Sequence, residues 1–285
     1  MAILSKGKDF PNMKLSARIP AGAALLLVLT STVGCTKLRA RDQLVKGVQA
    51  FKAGSYEQAV NFFQTSIKLD PDYDTAKLYL ATAYSYQVVP NLDTPDNLKV
   101  AQKALDGFQE VLNKDPNDLN ALRQVASIDR NIKKYDLAKA TEQKIIQLDP
   151  KDAQASYTIG VIDWTKAYKN ATTILGAAGL QDDGQGNVKK SKDVCAKIAT
   201  ANKVLVDEAE QYLKKAIEAD PNYDDAMQYL NLNYRRKADI ECGNDQARKD
   251  DLAKADEWVQ KAQGARKANE AAKEKKLGGG VDMTK

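Results

Sequence analysis

The side chains in this 285-residue chain whose placement first suggests chemistry are some of its carboxylates and its three cysteines. Histidine is absent, which removes the commonest general base and the commonest metal ligand. Carboxylates such as Asp163 and Glu241 have no evident nucleophile or base to work with. Gly176–Asn187 reads GAAGLQDDGQGN, and Asp182 and Asp183 beside glycines invite a calcium reading. The alternating D-x-[DN]-x-[DN]-G spacing and the distal Glu of a calcium loop are missing, however. No Gly-Lys-Ser/Thr follows, so it is not a phosphate loop either, and a flexible turn is expected. The sequence predicts no catalytic residue, no cofactor and no metal site, and an enzyme is the weakest reading.

The first cysteine has a different use. Lys14 and Arg18 precede an apolar stretch, Ile19 to Leu29, and the small residues that follow end at Gly34-Cys35. A basic start, a short apolar segment and small residues make a secretory signal over residues 1–34, with Met13 a more typical start than Met1. The apolar stretch is too short to span a bilayer, which takes about 20 residues. Thr32-Val33-Gly34-Cys35 resembles a bacterial lipobox, with Thr32 standing where Leu is usual. That resemblance implies acylation of Cys35 (palmitate among the chains), residues 35–39 as a linker, and anchoring in the cell envelope. Thr36 in place of Asp points to the outer membrane, facing the periplasm. The alternative is a soluble secreted protein. Residues 1–34 carry a net +3 of the chain's +5, so the mature part is near neutral and gives no argument for nucleic acid.

The rest is a question of what positions these residues. Asp-Pro ends four Ala-rich, helix-patterned runs, at Pro71, Pro116, Pro150 and Pro221, and two of these prolines are 34 residues apart. With proline at position 32 of a 34-residue unit, the small residue at position 20 is Ala59, Ala104, Ala138, Ala209 and Ala255. Position 8 holds Gly47, Ala81, Ala126 and Gly160, with Asn231 the exception. This period resembles the tetratricopeptide repeat (TPR). The resemblance implies an all-α, right-handed α-solenoid of about five TPR helical hairpins across residues 40–263. Their bounds fall at about 40–73, 74–118, 119–152, 153–223 and 224–263. Insertions are expected between the helices of repeats 2, 4 and 5; a degenerate extra repeat within 165–205 is the alternative. A polar helical cap and a disordered tail occupy residues 264–285. Asp129 and Asp163 fall where the family packs a Tyr, and are expected to reach solvent at a helix edge.

The family's ligand faces the first helix of each hairpin. Carried onto this chain, those positions include Tyr79, Tyr86, Asn120, Arg123, Arg130, Asn131, Tyr157, Trp164, Tyr229 and Arg235. Tyr, Trp and Arg are residue types that anchor interfaces. The Lys-Asn-Asn-Lys-Arg carboxylate clamp of chaperone-binding members is not reproduced. Cys195 and Cys242 fall in the insertions of adjacent repeats, and in an exported protein this suggests a disulfide; two buried thiols are the alternative. The expected function is a membrane-anchored, non-catalytic scaffold that binds a protein or peptide partner in envelope assembly or secretion. A glycan-binding surface lipoprotein is the alternative, and the oligomeric state is left open.

Overall fold

The computed structural model describes residues 21–187 and 190–278, with side chains described over 35–187 and 190–275. The first 20 residues of the expected signal segment, and the end of the expected tail, lie outside the described residues. Among the described residues all regular structure is α-helical, and no helix is long and apolar enough to cross a membrane. The chain divides into two compact units, Met1–Tyr79 and Leu80–Lys285.

The first unit is built on α1 (Ala21–Lys52) and α2 (Tyr56–Leu69). Side chains 35–39 of α1 are exposed, and the first buried one among those described is Ala40. Its carbonyl accepts a 2.7 Å hydrogen bond from the Ser66 hydroxyl of α2. Gly47 lets the two helices close on Phe63, since a Cβ there would sit 2.3 Å from the ring. Gly54, at φ +75°, makes the turn between them. Helix α3 (Asp74–Ser85) carries the boundary between the units.

In the second unit follow α4 (Pro95–Lys114), α5 (Leu119–Asn131), α6 (Tyr135–Leu148), α7 (Ala153–Ala177), α8 (Lys192–Ala219), α9 (Asp224–Ala238) and α10 (Asp245–Gly278). The Asp-Pro turns have a local cause. Proline restricts the residue before it to extended backbone, and Asp115, Asp149 and Asp220 are all extended. Each carboxylate then accepts from the backbone N–H two residues on, at 3.0–3.2 Å, closing a turn across the proline. The next helix starts at once: Asp118 and Asp152 cap α5 and α7 by accepting from Ala121 N and Ala155 N, both at 2.8 Å. All five of the expected position-20 alanines are fully buried.

The three insertions take different forms. In the second hairpin, residues 86–94 are organised by buried Asn97, whose amide donates to Val89 O and Leu92 O and whose oxygen accepts from Val89 N. In the fourth, both helices simply lengthen: α7 has 25 residues and α8 has 28, against 13 and 14 in α5 and α6. Ala171, Leu175 and Ile198 bury the extension, and Asn202 ties it by donating to Ala167 O at 2.8 Å. Among the described residues, 165–205 holds the end of α7, up to Ala177, and the start of α8, from Lys192. In the fifth, residues 239–244 join α9 to α10, and Cys242 there is bridged to Cys195 of α8. Closing a 47-residue loop stabilises the unit by roughly 2–4 kcal/mol.

Two sequence expectations are corrected here. Asp129 and Asp163 do not reach solvent; they are 4% and 0% exposed. Asp163 is held by Lys139, which donates to both of its oxygens at 2.9 Å and to Glu208 at 2.6 Å. Of the expected turn at 176–187, Gly176 and Ala177 still belong to α7, and the remainder is pinned by side chains rather than free. Asp182 and Asp183 accept from Gly184 N, Gln185 N and Asn187 N, and Asn187 donates to buried Asp239. Arg235 and Arg248 donate to the carbonyls of Gly184 and Gln185.

Close approach makes one glycine a test of the hairpin. A Cβ on Gly160 would lie 2.6 Å from Leu213 Cγ and 3.3 Å from Ala209 O. Gly160→Val is therefore expected to lower stability by about 1–3 kcal/mol through overpacking. Gly264→Ala, in an open stretch of α10, is expected to gain up to ~1 kcal/mol from helix propensity. Urea titrations followed by circular dichroism compare the two; equal shifts would remove close helix contact as the cause.

Candidate functional site

The inner residues of α5 and α7 line two clefts. One, of about 170 Å³, is bounded by Arg123, Ser127 and Arg130 of α5, Glu142 of α6, and Gln154 and Thr158 of α7. The other, of about 310 Å³, is bounded by Arg130, Asn131, Tyr135, Val161 and Thr165. Asn91, from the insertion of the second hairpin, closes one wall of the larger cleft. Arg130 lines both.

These charges are unequally engaged. Arg123 donates to Asp152 at 2.6 Å, and the same Asp152 caps α7, so this arginine is tied to the helix terminus. Arg235 is likewise held, by Gly184 O at 3.1 Å and Asp256 at 2.8 Å. Among the described residues no hydrogen bond or ion pair reaches the Arg130 guanidinium. Glu142 is 7% exposed. Burial, followed by the Asp152 charge, pushes its carboxyl up to about 7, against the opposing pull of Arg130, Arg123 and a Thr158 hydrogen bond.

Beside the clefts runs a ladder of aromatic rings. Tyr157, Trp164 and Tyr168 project from α7 at spacings of seven and four, so they follow one stripe of the helix. Tyr223 and Tyr229 come from the start and first half of α9. Ring centroids lie 4.9 Å apart for Tyr157–Tyr223, 5.6 Å for Tyr157–Tyr229, 5.2 Å for Trp164–Tyr229 and 5.3 Å for Trp164–Tyr168. The Arg236 guanidinium lies over the Tyr168 ring at 5.6 Å and ends the ladder. Burial, then neighbouring Tyr229, Asp225 and Tyr223, raises the Tyr157 phenol above its ordinary value, so it stays a neutral donor. The Tyr223 hydroxyl donates to Gln154 at 2.7 Å, joining ladder to cleft. The Trp164 indole N–H is buried without an acceptor among the described residues.

The structure thus brings Tyr157, Trp164 and Tyr229 into one cluster, and Arg123, Arg130 and Asn131 around the adjoining clefts. It does not add the others to them. Tyr79 lies in the first unit, stacked on Phe63 at 5.6 Å. Tyr86, at the end of α3, is 56% exposed, and Asn120 is exposed on α5 and lines neither cleft. Arg235 clasps the 176–187 turn. Cys35 is exposed on α1 and unbridged. Sequence reasoning missed Glu142, Asn91, Tyr168 and Tyr223. Tyr223 follows an Asp-Pro-Asn turn and Asn91 lies in an insertion, so neither holds a groove position of the period. Glu142 sits on a second helix, where the period predicts packing only.

A family model of the tetratricopeptide repeat matches residues 46–73 and 205–223, that is, parts of the first and fourth hairpins. No curated protein matches the sequence. Among solved structures, a MamA RS-1 ArsTM double mutant is similar with a TM-score of 0.52 and 18% identity, covering 82% of this chain and 97% of that one. MamA residues 41 to the end from Desulfovibrio magneticus RS-1 give 0.51 and 17%, covering 81% and 96%. A further MamA crystal structure gives 0.50 and 16%, covering 87% and 98%. At such identities the likeness speaks for the fold. The chain thus carries tetratricopeptide-repeat sequence at 46–73 and 205–223, with the expected position-20 alanines buried, in an all-helical fold similar to these solved structures.

Proposed function

We propose that this protein is a non-catalytic interaction scaffold, exported and anchored through lipid on Cys35, that holds a peptide segment of an envelope protein against α5, α7 and α9. The observation that carries the binding role is the continuous aromatic ladder, Tyr223–Tyr157–Tyr229–Trp164–Tyr168, lying beside two clefts that share Arg130. Aromatic rings supply contact area at low entropic cost, and a half-buried arginine adds direction. Solenoids of stacked hairpins characteristically offer such extended binding faces.

Export and anchoring rest on other features. The bridged Cys195 and Cys242 suit an oxidising compartment. The lipobox-like Thr32-Val33-Gly34-Cys35 ends five residues before Ala40, where side-chain burial begins. An acyl chain on an exposed Cys35 would leave the packed hairpin undisturbed. Two or more chains would make the attachment stable.

Crosslinking in intact cells, followed by affinity purification from membranes, tests the reading. A defined protein is expected to be recovered with the wild type and lost with a Tyr157→Ala/Trp164→Ala variant that remains folded. Cys35→Ser is expected to move the protein from the membrane to the soluble fraction. Equal recovery with both forms would rule out the ladder as the binding face, and unchanged membrane attachment of Cys35→Ser would rule out the anchor.

A further inference from the structure

Which partner chemistry fits this face follows from how its charges are used. Of the arginines assigned to the groove, Arg123 is tied to Asp152 and Arg235 to Gly184 and Asp256. The insertion of the fourth hairpin has therefore taken the α9 end of the face for the chain's own turn. Arg130 is left half-buried, with no hydrogen-bonded partner among the described residues, between two clefts of about 170 and 310 Å³. A guanidinium in such a place lacks the bidentate acceptor that its geometry suits.

Building on the scaffold reading above, we propose that the partner segment is acidic: an internal Asp or Glu side chain seats its carboxylate on Arg130, while flanking residues run into the two clefts and along the Tyr157–Tyr223 rings. An internal residue fits better than a chain terminus because Arg130 lines both clefts, so a bound chain has room to continue on either side. Asn131 and Gln154 line the clefts on the two sides and can hydrogen-bond its backbone.

Binding is also coupled to protons. The groups around the smaller cleft are Arg123 and Arg130 from α5, Glu142 from α6, and Asp152 and Thr158 at the start of α7. Asp152 compensates Arg123, so the charge left for a ligand is set by Arg130 and Glu142. Below about pH 7 the Glu142 carboxyl is neutral and Arg130 is uncompensated; above it, the Glu142 carboxylate offsets Arg130 and repels an anion. A bound carboxylate favours the protonated form, so the segment binds more tightly as pH falls and takes up a proton as it binds.

The probe is a random twelve-residue peptide library, displayed with both ends extended, panned on the full chain at pH 6. Enriched peptides are expected to share one Asp or Glu in fixed register. Arg130→Gln is expected to weaken the best of them by about tenfold or more. Affinity is expected to be roughly three- to tenfold higher at pH 6 than at pH 8, and Glu142→Gln to abolish that difference while keeping the tight binding. Enriched peptides that lack an acidic residue, bind Arg130→Gln equally and still need Tyr157 and Trp164 would overturn this inference and leave the scaffold reading intact. Peptides that bind only with a free C-terminal carboxylate would overturn the internal-residue assignment. No enrichment at all would count against both.

Discussion

Lys139→Met is expected to lower stability by about 3–5 kcal/mol, because it strips the cation from a carboxylate that has no access to water. Asp163 is fully buried on α7 and receives both of its hydrogen bonds from Lys139 of α6. The same ammonium reaches Glu208 of α8, so one lysine joins three helices of adjacent hairpins. Even with this partner, burial holds the Asp163 carboxyl above its ordinary value, with the Lys139 hydrogen bond and charge opposing. A folded-state pKa above the unfolded one means that the folded form binds the proton more tightly. This carboxyl's contribution to stability is therefore greatest below its unfolded pKa and falls as pH rises through the folded value. In Lys139→Met the opposing cation is gone, so the deficit is expected to be larger at pH 8 than at pH 5. Adding Asp163→Leu removes the stranded charge and is expected to restore most of the loss. Urea unfolding of the single and double variants at both pH values checks this; a double variant no more stable than the single one would show that packing, not charge, is lost.

That ion cluster also shows where sequence reading stops. The hairpins are legible because the period demands small residues at fixed points, and Ala59, Ala104, Ala138, Ala209 and Ala255 are all fully buried where helices cross. The turns are legible because Asp before Pro has few other conformations. Asp163 stood out as a breach of the pattern, yet nothing in the sequence marks Lys139 or Glu208, 24 and 69 residues along the chain from their contacts, as its company. Half of the candidate site was legible for the same reason as the fold: Arg130, Tyr157, Trp164 and Tyr229 hold periodic positions. Asn91, Tyr223 and the Asp182–Asn187 turn belong to insertions or turns, where no period constrains the chain. Their partners are set by tertiary packing alone.

The second large effect lies where the insertion meets the ladder. Arg236 is 3% exposed, donates to Asp182 at 2.8 Å, and faces fully buried Asp239 at 2.8 Å in charge contact rather than an aligned hydrogen bond. Burial pushes Asp239 above the usual carboxylate range; for Asp182 burial pushes the same way, but Arg236 and the turn's own donors bring it below. Arg236→Met leaves Asp239 with the Asn187 amide as its side-chain donor, and is expected to cost about 3–5 kcal/mol. Asp182→Asn is expected to cost far less, since the turn keeps its other bonds to Asp183, Arg235 and Arg248. The two losses should differ in where they act. Arg236 also covers Tyr168, which stacks on Trp164, so its loss is expected to shift tryptophan emission and speed hydrogen exchange over 182–187 and the end of α9. The Cys195–Cys242 bridge still joins α8 to the 239–244 connection, so the turn should loosen without the hairpin separating. Reducing the bridge in Arg236→Met should then add to the exchange of α8's first turns. If reduction alone produced the whole change, the bridge and not the arginine would be what seats the insertion on the aromatic ladder.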